Sequence, residues 1–165
     1  MEKFIDKADI VAQVAHVAQQ ISVDHDSPLP PVMVCVLNGA YQFFADLTSM
    51  MSIDCEVDFI RIKSYDGRDN SGGTKLIKAL ETDLKGKTVY IVDDILDTGA
   101  TIIEALSHVN GRMPKSVKVV TLLKRRGSKM QPDYCAFEIG DEWVVGYGLD
   151  DNKLKRNLMD IYKIN

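Results

Sequence analysis

Long apolar runs are missing from this chain of 165 residues: no stretch approaches the roughly 18 consecutive apolar residues that a membrane helix needs. The start, Met1-Glu2-Lys3-Phe4-Ile5-Asp6-Lys7, lacks the apolar region of a secretory signal, so a cytoplasmic location is expected. Cysteine is scarce. Cys35, Cys55 and Cys135 are an odd number, far apart and in apolar surroundings, and they read as small buried hydrophobes rather than disulfide partners or metal ligands. The three histidines, His16, His25 and His108, have no ligand-spaced partner and read as structural. Charge of one sign is lacking too: a formal net charge of −4 leaves no basic footprint, and a nucleic-acid partner is not expected. No Gly-x-Gly-x-x-Gly occurs, which removes a dinucleotide-binding fold. Internal repeats, low-complexity tracts and linkers are absent, so residues 1–165 read as one domain, long enough to bury a core.

What is present alternates between two periods. Ile10, Val11, Val14, Val17, Ala18 and Ile21 form a helical stripe over residues 6–22. Prolines at 28, 30 and 31 make a loop. Val32–Leu37 is apolar throughout, hence a central strand, and Asn38-Gly39 turns the chain into a helix of about residues 40–51. Glu56–Ile62 suits a strand with Val57, Phe59 and Arg61 on one face and Asp58, Ile60 and Ile62 on the other. A polar, glycine-containing segment over 65–74 follows, then a strand over 75–80. The next strand is set at 88–92, a helix at about 100–109, and a further strand at Val117–Leu123. Shorter strands are expected near Tyr134–Phe137 and Trp143–Val145. Helices alternating with apolar strands predict an α/β fold, a mostly parallel sheet with helices on both faces.

The most informative stretch is Val89–Thr101. Four β-favouring apolar residues run into Asp93 and Asp94, a third carboxylate follows at Asp97, and Thr98-Gly99-Ala100-Thr101 opens an amphipathic segment. Carboxylates at the carboxyl end of a buried strand lie where open α/β sheets hold ligands. Residues 98–101 supply backbone N–H groups and two hydroxyls at a helix N-terminus, a setting for a phosphate. Alone, Asp97 serves equally as a helix cap or as a base. Together these groups suggest a substrate carrying a phosphate and either hydroxyls or a metal ion.

The run from Asp93 to Thr101 resembles the phosphoribosyl-pyrophosphate signature of the type I phosphoribosyltransferases. Other segments narrow the likeness to the hypoxanthine-guanine branch. They are Val36–Ala40 with Phe43-Phe44-Ala45-Asp46-Leu47, Val57–Ile60 with Lys63-Ser64-Tyr65, and Asp133-Tyr134 with Phe137-Glu138-Ile139. Val144–Asp150 with Arg156-Asn157-Leu158 completes the set. These stand in the family's order across residues 31 to 162.

The resemblance implies the type I fold with a small hood formed by the N- and C-terminal segments. It also implies purine salvage: phosphoribosyl transfer from 5-phosphoribosyl 1-pyrophosphate to hypoxanthine or guanine, with Mg²⁺ as cofactor. Asp93 and Asp94 would hold the ribose hydroxyls, directly or around the metal ion, with Asp150 as a second metal ligand. Position 93 is Asp here where many relatives have Glu, a side chain one methylene shorter. Asp97 would be the general base at purine N7, a role suited to a carboxyl that is buried or next to another negative charge. Thr98, Gly99, Ala100 and Thr101 would bind the 5′-phosphate.

By the same likeness Leu37, Asn38, Gly39 and Arg156 would meet pyrophosphate. Most relatives carry Lys at 38, so Asn38 leaves more of that task to backbone N–H groups, magnesium and Arg156. Ser64 and Tyr65 would begin a lid that excludes water. Trp143 would stack on the purine, with Ile95 and the Val144 backbone beside it. The cation that reads O6 falls on Arg125 by strict register and on Lys124 by residue type. Residue type is given the preference, and neighbours on a strand point to opposite faces. A homodimer or homotetramer is expected.

Two rival classes remain to be weighed. A regulatory module that senses the diphosphate without turnover draws support from Asn38, and the intact Asp97 and lid segment speak against it. A response-regulator receiver also ends a strand in Ile-Val-Asp-Asp, but its acidic pair belongs nearer the chain's start.

Overall fold

The computed structural model describes residues 1–65 and 73–164, with only the backbone of Ser64, Tyr65 and Gly73. In chain order the elements are β1 (Glu2–Ile5), α1 (Lys7–Asp24), β2 (Val32–Leu37), α2 (Tyr41–Ser49), β3 (Glu56–Tyr65) and β4 (Gly73–Lys78). They continue with β5 (Thr88–Leu96), α3 (Ala100–Asn110), β6 (Ser116–Arg125), β7 (Tyr134–Ile139), β8 (Val144–Val145) and β9 (Ile161–Lys163). Six strands form one sheet in the order β4-β3-β2-β5-β6-β7, parallel except for the antiparallel edge pair β3–β4.

The central strands are those built on continuous apolar runs, Val32–Leu37 and Val89–Val92. Val32–Val36 and Thr88–Asp93 are buried on both faces, and each fully covered aliphatic side chain contributes about 1.5–3 kcal/mol. Helices α1 and α2 pack on one face, where Ile10, Val14, Val17, Ala18 and Ile21 of α1 meet Phe43, Phe44 and Leu47 of α2 over Met33, Cys35, Tyr90 and Val92. Helix α3 covers the other face with Ile102, Ala105 and Val109 against Val34, Val36, Val89 and Ile91. This is the expected two-sided layering. Helix α1 starts where the Asp6 side chain accepts a hydrogen bond from the Asp9 N–H, an ordinary acidic cap. Val11, expected in its stripe, is instead on the exposed side.

On β3 the alternation holds: Asp58, Ile60 and Ile62 are buried while Val57 and Phe59 are exposed. The buried Asp58 carboxylate accepts N–H bonds from Phe59, Glu81 and Thr82 at 2.7–2.8 Å. Burial pushes its pKa up, but those backbone donors outweigh the cost and hold it below the usual carboxylate range.

A second, three-stranded sheet in the order β1-β9-β8 joins the two ends of the chain. It is the hood. The cysteines need one correction: Cys35 is buried, but Cys55 is half-buried and Cys135 exposed, and all three thiols are free. The alternation of β7 turns residue 135 outward, which local apolar composition does not reveal. No helix among the described residues is long and apolar enough to cross a membrane.

Candidate active site

From β2 the chain steps to β3 on one side, and from β5 it steps to β6 on the other. The order therefore reverses between β2 and β5, and a crevice opens at their carboxyl ends. The register shows where: β2 and β5 pair only from Val32/Val89 to Cys35/Val92. Beyond Val92, β5 stays bonded to β6 alone, through Asp93↔Thr121 to Leu96↔Lys124. The strand expected to stop at residue 92 thus runs to Leu96, and the acidic pair lies within its last four residues. Pairing with β6 carries polar residues along a strand that apolar patterning alone would end.

A cavity of about 270 Å³ fills the crevice. Its walls are Leu37 and Gly39 from the end of β2, Asp93 and Asp94 from β5, and the run from Ile95 to Ile102. Gly99 adopts φ 86°, the left-handed conformation glycine takes without a Cβ penalty, and is the N-cap of α3. Gly99 has no side chain to cap the helix, Thr98 Oγ1 accepts the Ala100 N–H at 3.4 Å, and the first-turn N–H groups have no intrahelical partner. With the Thr98 and Thr101 hydroxyls they make a polar wall suited to an anion.

Asp93 is only 5 % exposed. Its Oδ1 accepts the Asp94 N–H at 3.0 Å, and Asp94 Oδ1 accepts the Ile95 N–H at 2.9 Å. Burial first, then the neighbouring carboxylate, pushes Asp93 well above the usual range. Burial also raises Asp94, tempered by its backbone donors and by the Arg156 charge. Behind the pair, burial and the two aspartates push the Cys35 thiol up to about 12, so it remains a thiol. Gly39 has no spare room: a Cβ there would lie 1.7 Å from Asp94 Oδ2. The Leu37–Asn38 peptide is cis, and the exposed Asn38 lines neither this cavity nor the next.

A second cavity of about 200 Å³ adjoins the first and shares Asp94, Ile95 and Asp97 with it. Arg125, Trp143, Val144, Leu149 and Asp150 complete its wall. Trp143 is 61 % exposed, on the rim and not in the core. Arg125 Nη1 donates to the carbonyls of Gly140 and Glu142 at 2.8 and 3.1 Å, and its Nε lies 3.3 Å from Asp97 Oδ2. Lys124 is buried on the opposite side of β6 and pairs with Glu138 at 3.3 Å. The preference for Lys124 is therefore corrected: β6 keeps an unbroken register to both neighbours, and only Arg125 reaches this cavity. The Asp97 side chain is 61 % exposed, with the Arg125 cation as neighbour. That is not the buried or like-charged setting expected for it.

Asp150 pairs with Arg156, which also donates to the Gly148 carbonyl. Arg156 braces the site from behind without lining either cavity. Among the described residues no group of three or more His, Cys, Asp or Glu side chains is gathered closely enough to cage a metal ion. Of the lid, Ser64 and Tyr65 continue the backbone of β3, and residues 66–72 lie outside the described residues. Leu149 and the two carbonyls that hold Arg125 were not anticipated. Leu149 lies within a quoted motif, but no sequence signal marks the carbonyls of Gly140 and Glu142.

Comparison with known proteins accords with this geometry. The phosphoribosyl transferase domain family matches residues 3–152. The hypoxanthine-guanine phosphoribosyltransferase of Aquifex aeolicus is 35% identical over 99% of this chain and 94% of its own. The hypoxanthine phosphoribosyltransferase of Escherichia coli K12 is 37% identical over 99% and 95%. A crystal structure of a hypoxanthine-guanine phosphoribosyltransferase from Bacillus anthracis superposes with a TM-score of 0.92 at 32% identity, covering 100% of this chain and 99% of that one.

Proposed function

The chain belongs to the phosphoribosyl transferase family, in its hypoxanthine-guanine branch, and from that premise we propose that it is a purine-salvage enzyme. It transfers the phosphoribosyl group of 5-phosphoribosyl 1-pyrophosphate to hypoxanthine or guanine, giving the nucleoside monophosphate and pyrophosphate. The observation that carries this reading is the pair of adjoining cavities that share Asp94, Ile95 and Asp97. One has the polar wall a phosphorylated sugar needs, the other an exposed indole and a fixed guanidinium suited to a flat base.

In this reading Thr98–Thr101 hold the 5′-phosphate, and Asp93 and Asp94 hold the ribose hydroxyls. Leu37 and Gly39 bound the pyrophosphate side, Arg156 stands behind it through Asp150 and the Gly148 carbonyl, and backbone groups stand in for the cation that Asn38 lacks. As the C1′–O bond to pyrophosphate breaks and the C1′–N9 bond forms, the purine's proton passes from N7 to Asp97. The Arg125 guanidinium donates to O6 of a 6-oxopurine and finds only another donor in the amino group of adenine. Trp143 stacks on the base and Val144 reads its edge.

Mg²⁺ is the cofactor of this proposal. Adjacent Asp93, buried, and Asp94, half-buried, put carboxyl oxygens on the cavity wall and suit a hard cation that binds through few protein oxygens plus substrate phosphates. When bound it neutralises charge on the diphosphate, and Asp150 is the further carboxylate available to it. One domain carries the whole activity, in a cytoplasmic homodimer or homotetramer. The exposed apolar face of Val57, Phe59 and Ile77 supports such assembly.

A steady-state assay tests the proposal. Nucleotide should form from hypoxanthine or guanine with the diphosphate and magnesium; no product from any 6-oxopurine would end it.

A further inference from the structure

Two limbs meet beside the crevice: the Gly39 turn, which lines the first cavity, and the Gly148–Asp150 stretch, whose Asp150 lines the second. Gly39, between β2 and α2, is pinched: a Cβ on it would strike Asp94, and its own carbonyl oxygen lies 2.1 Å from where a Cβ on Gly148 would stand. Gly148 opens the limb that carries Asp150; its N–H donates to the Arg156 carbonyl, and the Arg156 guanidinium donates back to the Gly148 carbonyl. Gly39, a wall of the first cavity, is thus held between Asp94 and Gly148. Something must hold Gly148 in place. Gly146, Tyr147 and Gly148 have φ of 96°, 50° and 100°, three left-handed residues in a row. The glycines adopt this freely, but a tyrosine does not.

Tyr147 is 1% exposed, and its hydroxyl donates to Asp46 Oδ2 at 2.7 Å. The Lys7 ammonium donates to the same oxygen at 2.6 Å and stands 4.5 Å from the centre of the Tyr147 ring. Asp46 lies on α2, whose N-cap Ala40 follows Gly39. The contacts close a ring: Gly39 leads into α2, Asp46 on α2 holds Tyr147, and Tyr147 seats Gly148 back against Gly39. Burial raises the Asp46 carboxyl, and its bonds from Lys7 and Tyr147 outweigh that and hold it below its usual range.

Resting on the reading above, we propose that Asp46 is a positioning residue for the diphosphate subsite: through Tyr147 and Lys7 it fixes the gap between the Gly39 turn and the Asp150–Arg156 limb. None of the three touches either cavity, so none takes part in the chemistry.

The test is steady-state kinetics of the full chain and its Tyr147→Phe and Lys7→Met variants. Each variant removes one donor to Asp46 and leaves the cavities intact. KM for 5-phosphoribosyl 1-pyrophosphate should rise about tenfold, the scale of one charge-assisted hydrogen bond. The purine KM and kcat should stay within about twofold of wild type. In the double variant the losses should fall short of their product, because both donors act through one carboxylate. An unchanged KM for the diphosphate substrate, or an equal loss in kcat and both KM values, overturns the proposal. Lys7 is only partly buried, so its variant carries the test should Tyr147→Phe fail to fold. Should wild type make no nucleotide, the activity reading fails separately. Calorimetric binding of inorganic pyrophosphate then decides: weakening in the variants upholds the brace, and equal affinity overturns it.

Discussion

Replacing Gly39 by alanine adds one carbon where the structure leaves no room. Its Cβ would lie 1.7 Å from Asp94 Oδ2, 2.4 Å from Cγ and 3.0 Å from Oδ1. Gly39 is not among the left-handed glycines, so backbone strain plays no part and the whole effect comes from one carboxylate. If Asp94 swings away it gives up the Ile95 N–H, a charge-assisted bond of about 1.5–3 kcal/mol. If it stays, the turn must move, at about 1–3 kcal/mol for overpacking. Either way stability falls by about 1–3 kcal/mol, which lowers Tm by roughly 2–12 °C in a chain of this size. Misplacing the carboxylate by an ångström or more should lower kcat/KM about 100-fold. Thermal melts and steady-state kinetics read the two effects. Adding Asp94→Ala removes the atoms in conflict, so Gly39→Ala with Asp94→Ala should regain most of the lost stability and none of the activity. A Gly39→Ala enzyme with wild-type melting and turnover would refute the reasoning, as would a double variant less stable than the single one.

The other predictions concern the carboxylates and the guanidinium. Asp97→Asn keeps the side-chain shape and removes the base, so kcat should drop about 10²–10⁴-fold with little change in either KM; wild-type turnover would remove the assignment. Arg125→Met should lower kcat/KM for hypoxanthine about ten- to a hundredfold, the worth of one charged hydrogen bond, and narrow the gap to adenine. Lys124→Met, which breaks the pair with Glu138, should leave purine selection unchanged. Asp93 has a folded pKa raised above its unfolded value of 3.8. Its contribution is therefore fully present below pH 3.8 and is lost as pH climbs through the raised value. Metal-free Asp93→Asn should accordingly melt progressively higher than wild type as pH rises toward 8, and added Mg²⁺ should close the gap by stabilising wild type alone. A gap independent of pH would contradict the burial argument.

The layering could be read from the chain because burial on two faces leaves a mark in composition. Val32–Leu37 needed no tertiary knowledge to be called a central strand, and the 2.0 period of Val57–Ile62 put Asp58 on the face of Ile60 and Ile62, which the structure buries. The hood strands β1 and β9 left no such mark. They have four and three residues and form only because the two ends of the chain meet, so family likeness alone foretold a hood. Position 125 shows a different limit. Sequence alternation says that 124 and 125 face apart, but which faces the base depends on whether β6 carries a bulge, and only the pairing with β5 and β7 settles that. Asp97 was legible as an acid and not as an environment: its neighbour Arg125 is 28 residues away in the chain, held there by two carbonyls no motif records.

The most direct measurement is a crystal structure of the protein with inosine 5′-monophosphate. The phosphate should lie on the N–H groups of residues 98–101, the ribose hydroxyls on Asp93 and Asp94, and the hypoxanthine ring against Trp143 with O6 on Arg125. A nucleotide seated in any other cleft, or a base facing Lys124, would contradict the central claim that the two cavities form one site joined at Asp94 and Asp97.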